Sequence, residues 1–199
     1  MIMDTRKKSG FDALVGNYHL RRAIEIALAG DHTIGIFGRA DNGASALKSV
    51  PNLKLHFHER CLCGNSQETD RFCTCTISEL KRYSRNKKYR KALECDILVE
   101  LMRPREAEYG FQCESFEEMD VRVVKAKAVA PVHISYTEDV SLLLNRAISK
   151  LRFTPFQVDS VKAIALTIAK LENPEEVNIN IYVQHMAEAI QYQSIRREL

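Results

Sequence analysis

Apolar positions along the chain follow two periods, and the change of period divides it. Leu20, Ala23, Ile24, Ala27 and Leu28 recur at intervals of three and four, which predicts a helix from an N-cap at Asn17 to a C-cap at Gly30. Residues 33–37 form a short apolar run and predict a strand. Residues 53–57 alternate: Leu53, Leu55 and Phe57 share one face, and Lys54, His56 and His58 share the other. Residues 95–101 are almost all apolar, as in a strand buried on both faces, and Pro104 ends it. Thr76-Ile77-Ser78-Glu79 and Ser115-Phe116-Glu117-Glu118 are capping boxes that open helices. Beyond Pro131 the pattern predicts helices only, at about 138–150, 156–171 and 178–195, punctuated by Pro155 and Pro174. A boundary is therefore expected between 130 and 136, and no internal repeat is visible.

At 199 residues the chain fits one domain, or a core with a small satellite. Hydrophobic residues at 45% and charged residues at 28% are ordinary globular usage. The net charge of +3 gives no global basic field, so a nucleic-acid partner would need a local patch. No apolar run approaches the ~20 residues of a membrane span. The polar, basic start, Met1-Ile2-Met3-Asp4-Thr5-Arg6-Lys7-Lys8, has no apolar core of a signal peptide. A cytoplasmic protein with no membrane partner and a flexible tail over 1–10 is the expectation.

Cys61-Leu62-Cys63 and Cys73-Thr74-Cys75 supply four thiols as two close pairs, a donor set suited to a tetrahedral structural Zn²⁺. The residues between the pairs are polar, so the loop at 59–76 lacks a core of its own, and a metal would organise it. The alternative is four free or redox-active thiols. Cys95 and Cys113 read as non-ligands, Cys95 as a small core residue, and His56 and His58 as strand surface.

The run Gly38-Arg39-Ala40-Asp41-Asn42-Gly43-Ala44-Ser45 has the outline of a phosphate-binding loop between a strand and a helix. Gly38, Asn42, Gly43, Ala44 and Ser45 are its candidate nucleotide contacts. The position that needs lysine holds Ala44, Asp41 adds a negative charge, and a helix from Ala44 has only a turn or two before Pro51. The alternative is an ordinary turn that binds nothing. Further on, Lys81, Arg82, Arg85, Lys87, Lys88, Arg90 and Lys91 place seven cations in eleven residues with Tyr83 and Tyr89 interleaved. That is either a solvated face or a grip on a nucleic-acid backbone, with the tyrosines stacking on bases.

Four blocks together resemble the magnesium-chelatase-like AAA+ ATPases, in particular the ComM/YifB branch. They are Phe11-Asp12-Ala13-Leu14-Val15-Gly16-Asn17 with Arg22-Ala23-Ile24-Glu25-Ile26-Ala27; Cys61-Leu62-Cys63-Gly64 to Cys73-Thr74-Cys75-Thr76 with Arg82-Tyr83; Glu114-Ser115 with Glu117-Glu118; and Ala165, Thr167-Ile168-Ala169-Lys170-Leu171 with His185-Met186-Ala187-Glu188-Ala189-Ile190-Gln191-Tyr192. The resemblance implies an α/β P-loop-like core over 11–131 and a C-terminal all-helical lid over 132–199. It also implies that relatives of the branch act on DNA. Measured against that family, the Walker A lysine is Ala44. The segment with two strands and the Walker B acids is missing between Val50 and Asn52. The sensor-1 position holds Glu59, the arginine-finger position holds Glu94, and the sensor-2 arginine falls near Phe156.

Phosphoryl transfer needs cations around the transferred group, so these losses together argue against an ATP-hydrolysing enzyme and against bound Mg-ATP. The family's strand order implies that the three retained strands are neighbours, with 33–37 between 53–57 and 97–101, so the deletion trims one side of the sheet. The reading that results is a non-hydrolysing, zinc-stabilised interaction or regulatory protein, docking on full-length AAA+ subunits or on copies of itself. An ATP-binding protein or weak ATPase, and a zinc-containing DNA- or RNA-binding module, are the alternatives.

Overall fold

The computed structural model describes residues 11–12, 14–66, 71–104, 108 and 113–195; the expected tail at 1–10 lies outside them. Three strands form a parallel sheet in the order β2-β1-β3, with β1 (Ile34–Gly38) between β2 (Leu55–His58) and β3 (Ile97–Leu101). This is the spatial order set out above for the trimmed sheet, and it leaves β2 and β3 as edges.

Register decides what each face carries. Ile34 pairs with Leu55 and Ile97, and Ile36 with Phe57 and Val99, so these side chains share a face. They enter one continuous core with Leu20 and Ile24 of α1 (Tyr18–Gly30) and Val123 of α5 (Phe116–Ala128). Leu144 of α6 (Glu138–Leu151), Ile164 of α7 (Pro155–Glu172) and Met186 of α8 (Val183–Ser194) complete it. The opposite face holds a smaller cluster, in which Phe37 and Leu98 pack with Cys95 and with Tyr89 and Ala92 of α4 (Lys87–Leu93). Cys95 is thus the buried core thiol expected from sequence.

Polar side chains tie these elements together. Asn17 holds the N-cap position of α1 without capping it. Its amide instead clasps the end of β3, donating to the Met102 carbonyl at 3.0 Å and accepting the Met102 N–H at 2.9 Å. The left-handed C-cap is Asp31, one residue past the expected Gly30. Asp96 accepts the N–H and hydroxyl of Thr33 at 3.0 and 2.7 Å and the hydroxyl of Ser160 at 2.9 Å, joining the starts of β1 and β3 to α7. Both capping boxes form, at α3 (Ile77–Ser84) and at α5.

The C-terminal third is not all helical. β4 (His133–Tyr136) and β5 (Asn178–Ile181) build a second, two-stranded parallel sheet, and the helix expected from 178 begins only at Val183. The local period explains the difference. Asn178, Ile179, Asn180 and Ile181 alternate exposed and buried, which suits a strand laid against α7 and suits no helix. For the same reason Pro131 does not mark a passage to helices only.

Candidate metal centre

Cys61 lies three residues past the end of β2, buried. Gly64 turns the chain with φ at +73°, its N–H donating to the Cys61 carbonyl at 3.2 Å, in a backbone region that side chains resist. Cys73 and Cys75 return on the second arm, and Thr76 at once caps α3. The four Sγ atoms lie within 4.8 Å of one another. Cys61 and Cys63 are 3.4 Å apart, Cys63 and Cys73 3.6 Å, and Cys73 and Cys61 3.8 Å. A tetrahedron with zinc–sulfur bonds of about 2.3 Å has edges of about 3.8 Å. The donor set is compatible with such an ion.

The protonation pattern points the same way. Backbone N–H groups of Asn65 and then Thr74 pull the Cys63 thiol down to about 5. At Cys73 the backbone hydrogen bond from Cys75 also lowers the pKa, but desolvation and the neighbouring sulfurs outweigh it and push the thiol up to about 12. The thiols of Cys73 and Cys75 are pushed up while that of Cys63 is pulled down, and a divalent cation would favour the ionised form of each. Among the described residues, no other group of His, Cys, Asp or Glu makes such a cluster; Cys95, Cys113, His56 and His58 all stand outside it.

The knuckle is fastened to the sheet by groups that the spacing did not reveal. Arg60 pairs with Glu100 of β3. The Tyr83 hydroxyl lies 3.0 Å from the Glu59 carbonyl and 2.9 Å from His58 Nδ1. Arg39 donates to Asn65, and the Glu59 carboxylate accepts the Ala40 N–H at 3.2 Å.

These last contacts bear on the glycine loop. Gly38 ends β1, Asn42 closes a single 3-10 turn, and Gly43, Ala44 and Ser45 lead into α2 (Ala44–Leu47), which is one turn long. Gly38 is explained by packing: a Cβ there would lie 2.3 Å from the Leu101 carbonyl oxygen. Gly43 is explained by its φ of +107°, with open space around it. Ala44 is buried and brings no cation. Arg39 is held by Asp41 and Asn65, and Arg39 in turn keeps the Asp41 carboxyl below its usual range. Internal carboxylates thus occupy the Arg39 guanidinium and the Ala40 N–H.

All seven cations at 81–91 are exposed, and among the described residues none forms a salt bridge. The tyrosines are not stacking platforms. Tyr89 is 2% exposed and packs edge-on against Phe37 at 5.5 Å. Tyr83 packs on His58 and Tyr89, and burial pushes its hydroxyl up to about 12. A cavity of about 320 Å³ beside β3, between Tyr18, Met102 and Tyr192, had no signal in the sequence. Comparison with protein-family models and with curated proteins found no match.

Proposed function

We propose that the chain is a zinc-stabilised, non-hydrolysing protein of magnesium-chelatase-like AAA+ descent, acting as an interaction or regulatory subunit. The observation that carries the reading is the four-sulfur cluster, with three edges of 3.4–3.8 Å, rooted on the sheet by Arg60 and Tyr83. In that cluster Cys61, Cys63, Cys73 and Cys75 would hold Zn²⁺, which supplies rigidity and no chemistry. The parallel order β2-β1-β3 supports the proposed descent. The glycine loop supports the loss of hydrolysis, because Ala44 brings no charge and Asp41 and Glu59 meet the donors beside it.

Metal analysis and calorimetry on the same purified sample test this. One zinc per chain, no heat with millimolar Mg-ATP and no release of phosphate are expected. Brisk turnover of ATP, or freshly purified protein that carries no metal while residues 59–76 remain ordered, overturns it.

A further inference from the structure

Three exposed apolar side chains lie within two residues of the cysteine ligands. Leu62 sits between Cys61 and Cys63, Phe72 precedes Cys73, and Ile77 follows Cys75 by two. They are 50%, 94% and 73% exposed. The cluster of sulfurs gathers them onto one knuckle. Leu80, a turn after Ile77, continues the stripe on α3, a helix with no buried residue. Lys81 lies four residues from Ile77, on the same side of that helix. Residues 59–94 hold nine Lys and Arg against five Asp and Glu, a net +4 in a chain whose total is +3. The Glu79 carboxylate among those five is turned into its capping box.

We propose that this knuckle and α3 dock on an anionic lipid bilayer, the apolar tip entering the headgroup boundary while the cations of 81–91 meet the lipid charge. Exposed apolar groups in a segment rich in exposed cations suit that surface. A nucleic acid uses the cations and, with both tyrosines packed away, has only Phe72 to stack on, leaving Leu62 and Ile77 without a role. An acidic protein helix needs a groove, and a side chain exposed to 94% lines none. A rigid tip pays no ordering entropy on insertion, so the inference rests on the metal reading for its stiffness. No helix among the described residues is long and apolar enough to cross a membrane, so the contact is peripheral.

The test uses the full chain with vesicles of phosphatidylcholine, with and without about one-third phosphatidylserine, at ~0.1 M salt. The chain has no tryptophan, so Phe72→Trp gives a single reporter. Binding to the anionic vesicles only, with a blue shift of that reporter, is expected. Phe72→Ser with Ile77→Ser should weaken it at least tenfold, and Lys87→Gln and Lys88→Gln by about fivefold each. Binding that ignores the apolar pair, or that oligothymidylate abolishes by binding the protein itself with no blue shift on vesicles, overturns the inference in favour of a polyanion grip. Zinc-loaded protein that binds no vesicles overturns it alone, and protein with neither zinc nor vesicle binding overturns the metal reading as well.

Discussion

Replacing one exposed cysteine should do more harm than its surroundings suggest. Cys73 is exposed and touches little besides the other sulfurs, so as a surface side chain its change to serine would alter stability by about 0.5 kcal/mol or less. As one of four zinc ligands it would carry a share of a binding free energy of roughly 10–16 kcal/mol. An even division gives about 2.5–4 kcal/mol per thiolate, a loss of roughly 10²- to 10³-fold in affinity. The structure also says where the damage stops. The knuckle and α3 contribute little to the main core, which is built from α1, the sheet and α5–α8. Loss of metal should therefore free 59–84 and leave the sheet folded. Competition against a chromophoric chelator measures the affinity, and amide exchange maps the release. Cys95→Ser is the control: it is 3% exposed against Leu98 and Tyr89, so it should keep the metal and lose about 1–3 kcal/mol of global stability. Cys73→Ser protein that binds zinc as tightly as the parent, Cys95→Ser protein that loses it, or chelation that unfolds the sheet along with the loop would refute this assignment.

Asp96→Ala strands the Thr33 N–H and hydroxyl and the Ser160 hydroxyl, and should cost about 2–4 kcal/mol in urea unfolding at neutral pH. Burial alone would raise the Asp96 pKa, but Thr33 and then Ser160 hold it below the usual carboxylate value. Its contribution is therefore complete above the unfolded value of about 4 and lost as pH falls through the lower folded value, so the variant should show a shallower acid loss than the parent. Gly38→Ala drives a Cβ against the Leu101 carbonyl and should cost about 1–3 kcal/mol. That cost should be the same with and without Mg-ATP, and a nucleotide-dependent rescue would return Gly38 to a binding role.

What was legible in the sequence was local, and what was missed depended on partners far along the chain. Thr76 with Glu79 and Ser115 with Glu118 close their boxes across three residues, so spacing alone sufficed. The four cysteines were also legible, because two short pairs need only one loop to bring them together. β4 and β5 were not: forty-one residues separate their ends, each has four residues of alternation, and Ile179 and Ile181 gain their burial from helices outside the strand. The tyrosines show a different failure, since their signal was present and read as composition. Tyr89 and Ala92 sit three apart with cations at 87, 88, 90 and 91 around them, which is the period of a helix with one buried face. Read that way, Tyr89 belongs against Phe37, and the cations belong in water. Phe72 has no such apolar neighbour at three or four residues in a helix and projects from the cysteine loop. The same rule that buries one aromatic leaves the other free to meet a partner.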